Sequence, residues 1–116
     1  MRKYRGDDWL IEFDLWAENT AKVRTPLPLA VWTTVRSSLR VRGWDQGSAL
    51  WSGSLGSGVA VIEQSAIRTR VRVSIPRAVT ALCALRYHSV DLEVEEGNVR
   101  TTPIVAIIDV RRDVSL

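Results

Sequence analysis

Apolar and polar residues alternate with a period of two over several stretches of the chain. In residues 67–75 an apolar side chain or a threonine stands at every odd position, beginning with Ile67, and arginine or serine stands between them. Successive strand residues point to opposite faces, so this alternation predicts a half-buried β-strand with the odd positions inward. Residues 9–16 and 35–41 alternate in the same way, except that Ser37 falls on the apolar face. We expect a bulge or local irregularity at Ser37.

Turn-forming residues divide the chain into seven or eight predicted strands. Prolines at 26 and 28 remove ladder donors, so residues 25–29 should run extended along a sheet edge. Residues 76–82 suit a short helical turn that begins near Pro76. We therefore predict an all-β fold, either an immunoglobulin-like β-sandwich or a small barrel. The predicted strands are residues 9–16, 30–42, 49–51, 59–63, 67–75, the stretch from 86 to a hairpin turn at 96–98, and 99–110 with an interruption at Pro103.

Glycine stands at every second or third position of residues 52–58. The pattern G-x-x-G-x-G occurs in part in phosphate-binding loops, but neither a Lys-Ser/Thr pair nor a helix start follows it here. We predict that this stretch is a connecting loop.

Length and composition are those of one globular domain. The chain has 116 residues, of which 46% are hydrophobic and 25% charged, so we expect a single domain over residues 1–116. Residues 1–7 are predicted to form an arm, either loose or a short edge segment, and residues 111–116 a tail. No apolar run resembles a signal peptide or a membrane span. The single cysteine, Cys83, cannot form an internal disulfide and is predicted to be a buried thiol.

The titratable residues form no recognisable catalytic or metal-binding pattern. One cysteine and one histidine, His88, exclude a cysteine-based zinc site, and we interpret His88, beside Tyr87, as structural. Asp91, Glu93 and Glu95 stand on one face of one predicted strand, whereas paired catalytic carboxylates face each other across a cleft. No G-x-S-x-G motif selects a nucleophilic serine. We therefore predict no enzymatic activity, no cofactor and no metal.

Two rows of arginine are predicted on the outer faces of strands: Arg36, Arg40 and Arg42 in one row and Arg68, Arg70 and Arg72 in the other. Like charges on neighbouring strands destabilise a sheet, whereas opposite charges contribute roughly 0.2–1 kcal/mol per pair. The favoured interpretation places these rows beside the acidic residues of 12–14 and 91–95. A protein–protein interface is the second interpretation, and a nucleic-acid surface is the third.

Five tryptophans are many for a chain of this length, and Trp and Arg are enriched where proteins contact one another. The net charge of +3 permits an acidic partner without requiring one. The candidate interface residues are Trp16, Trp44, Trp51, Arg36, Arg40, Arg68, Arg70 and Arg72.

Short motifs follow one another in a distinctive order in the second half of the chain. They are Ser-Ile-Pro at 74–76, Thr-Ala-x-x-Ala-Leu at 80–85, Tyr87, Asp-Leu-Glu-Val at 91–94, Gly97, Thr-Thr at 101–102 and Arg-Arg-Asp-Val-Ser at 111–115. In this order they resemble small β-sandwich proteins of tailed bacteriophages, namely the N-terminal domains of upper baseplate proteins and related tail, neck and head-fibre adaptors. The family pattern has glycine where this chain has Arg86.

The resemblance spans residues 6–115, more loosely in the first half, and implies a structural virion protein without enzymatic activity. Such domains assemble in several copies around a tail, neck or head-vertex axis and connect larger proteins. The implied partners are copies of the chain and other virion proteins, and the implied location is a virion assembled in the bacterial host cytoplasm.

Two other functions stay open as alternatives. A nucleic-acid-binding β-barrel would place both arginine rows and exposed Trp on one face without carboxylates within reach. A carbohydrate-binding sandwich would show two or three coplanar exposed tryptophans.

Overall fold

The computed structural model describes residues 1–18, 21–27, 33–41, 49–96, 99–100 and 104–112. Within these residues the chain is all-β apart from one short helix, which confirms the predicted class. The elements are β1 (Arg2–Tyr4), β2 (Trp9–Asp14), β3 (Trp16–Glu18), β4 (Arg24–Pro26), β5 (Thr33–Val41), β6 (Trp51–Leu55), β7 (Gly58–Gln64), β8 (Thr69–Ile75), α1 (Arg77–Thr80), β9 (Tyr87–Glu96), β10 (Val99–Arg100) and β11 (Ile104–Arg111).

Nine of the strands in the described ranges form one sheet that curves almost into a barrel. Its order is β1-β11-β9-β5-β6-β7-β8-β2, and β10 also pairs with β9. Most neighbours are antiparallel, but β1 is parallel to β11, and β6 meets β7 in a short parallel pairing. β3 and β4 form a separate antiparallel ribbon. The curved sheet is consistent with the predicted sandwich or small barrel.

The alternation of β8 separates core from surface as predicted. Every second residue from Thr69 to Ile75 is buried, and the residues between them are half-buried. In the neighbouring β2, Trp9 pairs with Ile75 and Phe13 with Val71, so both strands turn the same face inward. Burying such side chains contributes about 1.5–3 kcal/mol each. The core consists of Trp9, Ile11, Phe13, Leu15, Val35, Leu39, Val59, Val71, Val73, Ile75, Cys83, Val90, Leu92, Val94, Ile108 and Val110.

β8 begins two residues later than the pattern predicts. Ile67 was expected to face the core but is 75% exposed. The backbone N–H of Ser65 donates to the carbonyl of Arg68 (2.9 Å), and the Ser65 hydroxyl accepts the backbone N–H of Ile67 (3.3 Å). This turn directs Ile67 outward before the ladder starts at Thr69, so the inward prediction for Ile67 was wrong.

Ser37 is a buried polar residue that leaves the register of β5 unchanged. β5 pairs with β9 without a shift from Thr33 to Val41. The buried Ser37 hydroxyl donates to the carbonyl of Asp91 (2.6 Å), and the Ser38 N–H donates to the Asp91 carboxylate (2.9 Å). The expected bulge or irregularity is therefore not seen at Ser37; instead, the hydrogen bond of its hydroxyl satisfies a polar group inside the core.

The N-terminal segment is an edge strand, the second of its two predicted alternatives. β1 pairs with β11, with Arg2 opposite Asp109 and Tyr4 opposite Arg111. Arg111, which was assigned to the tail, is therefore the last residue of β11.

α1 lies inside the predicted helical turn and closes one end of the sheet. The buried Thr80 hydroxyl donates to the carbonyl of Asp7 (2.7 Å) and accepts the N–H of Gly6 (3.2 Å). The Asp8 carboxylate accepts the backbone N–H of Arg77 (2.7 Å), which has no partner within so short a helix. These bonds tie α1 to the turn between β1 and β2.

The glycine-rich stretch is mostly strand, so the loop prediction was wrong for residues 52–55. They belong to β6, and a tight turn leads directly into β7. Ser54 and Ser57 exchange two backbone hydrogen bonds of 2.9 and 2.8 Å across this turn. Gly56 has a φ of 85° there, which favours glycine.

The indole of Trp51 lies over two of these glycines. A Cβ at Gly53 would stand 2.6 Å from Trp51 Cη2 and 2.8 Å from the carbonyl of Ser57, and a Cβ at Gly58 would stand 2.6 Å from Trp51 Cζ2. Trp51 pairs with Leu39 and packs against the core. The missing side chains at Gly53 and Gly58 therefore provide the space that the ring occupies.

The substitution Gly53→Ala should lower the free energy of unfolding by about 1–3 kcal/mol, because the added methyl meets both the ring and a backbone carbonyl. Gly56→Ala is the matched control, since nothing lies within 4 Å of its added Cβ and only the positive φ costs about 1 kcal/mol. Urea unfolding of both variants measures the difference. Equal losses would show that Trp51 does not occupy this space in solution.

Candidate interaction surfaces

The arginine row of β5 faces the acidic row of β9, which we call the first ladder. Arg36 Nη2 lies 3.4 Å from Glu93 Oε1 and 2.5 Å from Glu95 Oε2. Arg40 Nη1 lies 3.1 Å from Asp91 Oδ2. The antiparallel register places these opposite charges on neighbouring strands, where they attract one another.

The arginine row of β8 faces acidic residues on both of its neighbours and forms the second ladder. Arg70 donates from Nε and Nη2 to the two oxygens of Asp14 (2.8 and 3.2 Å), a bidentate geometry. Arg72 Nη2 lies 2.9 Å from Glu12 Oε1. On the other side, Arg68 Nη1 lies 3.9 Å from Glu63 Oε1, across the turn to β7.

Both ladders confirm the favoured interpretation of the arginines. All five of the predicted arginines in the described part of the chain have a carboxylate within 4 Å. Arg42 lies outside the described residues. The ladders therefore neutralise the middle of the sheet exterior, and these arginines are not free cations for an anionic ligand.

The tryptophan candidates differ in their surroundings. Trp51 packs inward over Gly53 and Gly58, so its ring serves the core. Trp44 lies outside the described residues. Trp16 is 40% exposed on β3, and the guanidinium carbon of Arg24 lies 5.4 Å from its ring centroid, within cation–π range.

Trp16 belongs to an exposed apolar group at one end of the molecule. Leu15 N–H donates to the carbonyl of Thr69 (2.8 Å), so the start of β3 lies beside the turn that exposes Ile67. Val23 is also exposed, next to Arg24 on the ribbon. We call Trp16, Val23, Arg24 and Ile67 the ribbon end.

A second exposed group lies at the opposite end, where β8 leads into α1. Leu82 is 87% exposed, and Leu85, Tyr87 and Tyr4 are exposed as well. Tyr4 and Tyr87 lie on either side of β11, since Tyr4 pairs with Arg111 and Tyr87 with Asp109. The segment that carries Leu82 and Leu85 leads into them at Arg86, whose carbonyl accepts the Val110 N–H (3.3 Å). We call the basic end the surface made by Arg2, Tyr4, Arg5, Leu82, Leu85, Arg86, Tyr87 and Arg111.

Four arginines lie at the basic end, near Asp7, Asp8 and Asp109. Arg111 pairs with Asp109 (2.8 Å), but Arg2, Arg5 and Arg86 have no ion-pair partner among the described residues. The sequence pattern does not predict this surface. The apolar run around Cys83 suggested burial, and the arginines are far apart in sequence.

His88 and Cys83 lie in the interior. His88 is fully buried, and its Nδ1 lies 2.9 Å from the carbonyl of Arg86. Cys83 is buried, as predicted, and burial raises the pKa of its thiol. In the part of the chain that the structure describes, no group of three or more His, Cys, Asp or Glu could hold a metal ion.

Comparison of the sequence with protein-family models and with curated proteins finds no match. Within the described ranges, no helix has the length and apolar character needed to cross a membrane.

The two ladders should respond to pH with opposite signs. The hydrogen bond from Arg70 lowers the pKa of Asp14 below its usual 3.8; burial opposes this shift, and the charges of Arg70 and Arg68 add to it. Burial raises the pKa of Asp91 above 3.8, and Glu93 adds to this rise, while the Ser38 N–H and Arg40 oppose it. The Asp14 contribution to stability is therefore lost as the pH falls through its lowered pKa. The Asp91 contribution is present below 3.8 and is lost as the pH rises through its raised pKa.

Urea unfolding of wild type, Asp14→Asn and Asp91→Asn between about pH 2 and pH 7 tests this difference. As the pH rises, the free energy of unfolding of the wild type should increase relative to that of Asp14→Asn. Over the same range it should decrease relative to that of Asp91→Asn. Parallel curves for the two variants would contradict the opposite pKa shifts of Asp14, led by its bond to Arg70, and of Asp91, led by burial.

Proposed function

We propose that this protein is a structural, non-enzymatic component of a tailed-bacteriophage particle, in the tail, baseplate, neck or a head-fibre adaptor. In this role it associates with copies of itself and links other virion proteins. The family resemblance of residues 6–115 supports this role, and so does the all-β fold.

The observation that carries the proposal is the exposed Trp16 at the ribbon end. A tryptophan that is 40% exposed and already oriented by Arg24 combines the two residue types that dominate protein–protein binding energy. Ile67 and Val23 extend the apolar surface beside it. Burial of this group against a second copy would remove it from water.

The ladders argue against a nucleic-acid-binding function that uses the two arginine rows. That function requires arginine rows open to phosphate, whereas Arg36, Arg40, Arg68, Arg70 and Arg72 each have a carboxylate within 4 Å. Of the tryptophans in the described ranges, Trp9 is buried and Trp51 packs on the core, so neither adds a stacking or sugar-binding platform beside Trp16.

Sedimentation equilibrium of the purified chain should show an oligomer, and Trp16→Ser should shift it towards monomer without loss of the β-sheet circular dichroism signal. Leu10→Ser is the matched control, because Leu10 is also exposed but pairs with Ser74 at the α1 end of β8, opposite the ribbon end. A wild-type monomer at all concentrations, or equal effects of both substitutions, would contradict self-association through Trp16.

Mass spectrometry of purified particles tests the location directly. Particles produced from the genome that encodes this chain should contain it in a fixed ratio to their other structural proteins. Its absence from purified particles would overturn the proposed role.

A further inference from the structure

We propose that the basic end is a docking surface for a different protein, one that presents carboxylates around an apolar centre. This inference rests on the proposed linking function and names the second contact that linking requires. The surface combines exposed leucines, tyrosines beside Arg111 and arginines that have no ion-pair partner among the described residues.

The exposed leucines are held in fixed positions. Cys83 is buried between Leu82 and Leu85, and its N–H donates to the carbonyl of Thr80 (3.1 Å). The Leu82 N–H donates to the carbonyl of Val79 (3.0 Å). Thr80 in turn is bonded to Asp7. The backbone therefore presents Leu82 to solvent in a defined place, where a partner gains by covering it without first ordering the segment.

Tyr4 and Tyr87 lie close to Arg111, one on each neighbouring strand of β11. Tyr4 pairs with Arg111 itself, and Tyr87 pairs with Asp109, whose carboxylate accepts a hydrogen bond from Arg111 Nε (2.9 Å). Tyrosine and arginine are enriched in protein interfaces because they combine a large contact area with hydrogen bonding. They provide the polar rim of the surface, and the leucines provide its apolar part.

Charge decides the kind of partner. Arg2, Arg5 and Arg86 lack ion-pair partners among the described residues, and they outnumber the free carboxylates nearby. Of those carboxylates, Asp109 pairs with Arg111 and Asp8 accepts the N–H of Arg77, which leaves Asp7. An approaching carboxylate would therefore be attracted. A second copy of the chain would bring the same excess of arginine to the contact, so like charges would face each other. The complementary surface therefore belongs to a different protein.

The leucines also favour a protein over a nucleic acid. Phosphate contacts require cations and hydrogen-bond donors, and they gain nothing from an aliphatic side chain that is 87% exposed. A protein partner can bury Leu82 and Leu85 and pair with the arginines at the same time.

Two synthetic peptides and a DNA probe test the proposal on the full-length chain. The first peptide carries glutamates on both sides of a Leu-Trp-Leu centre, the second has glutamine in place of every glutamate, and the third probe is a single-stranded oligonucleotide. By fluorescence anisotropy at low salt, the acidic peptide should bind about tenfold more tightly than the glutamine peptide.

Two double variants separate the apolar and charged contributions. Leu82→Ser with Leu85→Ser and Arg2→Gln with Arg86→Gln should each weaken binding of the acidic peptide about tenfold, the leucine pair through lost burial and the arginine pair through lost attraction. Val105→Ser and Arg68→Gln are the controls, because Val105 and Arg68 lie outside the basic end and should leave binding unchanged.

Several outcomes overturn the proposal. Equal binding of the two peptides would remove the role of charge, and failure of both to bind would remove the site. DNA binding that depends on Arg2 and Arg86 but not on the leucines would assign the surface to nucleic acid.

Failure of the proposed function can be told apart from failure of this inference, because self-association is measured at the ribbon end and peptide binding at the basic end. Absence from particles together with intact peptide binding would count against the virion role alone.

Discussion

The pairing of arginine with carboxylate across neighbouring strands is the constraint on which the arrangement of this sheet depends. Each arginine strand is bonded to at least one acidic strand, β5 to β9 and β8 to β2. If β5 lay directly beside β8, the two arginine rows would oppose each other at strand spacing, which destabilises a sheet. The apolar faces of these strands are alike, since all carry Val, Ile or Leu inward. The core therefore decides which face of a strand is buried, and the charges on the other face help to decide which strands are neighbours.

The same alternation explains how much of the fold can be predicted from sequence. The buried positions of β8 and β9 follow from period two, and the opposite signs of the outer rows predict their pairing. The prediction that Ile67 faces the core fails because periodicity does not show where a strand begins. Here the Ser65 hydroxyl accepts the Ile67 N–H in a turn before Thr69. The prediction that residues 52–55 form a loop fails for a different reason. Glycine is poor in strands because it packs nothing, but in this sheet the ring of Trp51 fills the space above Gly53. That contact depends on tertiary packing, which no local pattern contains.

The basic end could not be predicted because it is assembled from three distant segments. The edge strand β1 contributes Arg2 and Tyr4, the segment after α1 contributes Leu82, and the end of β11 contributes Arg111. The apolar run from Ala78 to Leu85 suggests a buried segment, yet the helix ends after one turn and only some of its side chains reach the core. Cys83 is buried beside a leucine that is 87% exposed. An apolar stretch predicts burial only when its periodicity matches the element that forms. Here the helix is too short to give the segment a regular buried face.

The charge distribution that results separates the two ends of the molecule. The ladders pair opposite charges along the middle of the sheet. By contrast, Arg2, Arg5 and Arg86 lie where β1, the segment after α1 and β11 meet, and they have no ion-pair partner among the described residues. The ribbon end is apolar and aromatic, with Trp16 and Ile67 exposed. Because β8 runs from the ribbon end to α1, these two surfaces lie at opposite ends of that strand. A protein with one chemistry at each end can hold two different neighbours at once without competition between them. A single continuous exposed interaction surface would instead favour open-ended self-assembly. The paired charges in the middle of the sheet are therefore as important to the proposed linking role as the two ends.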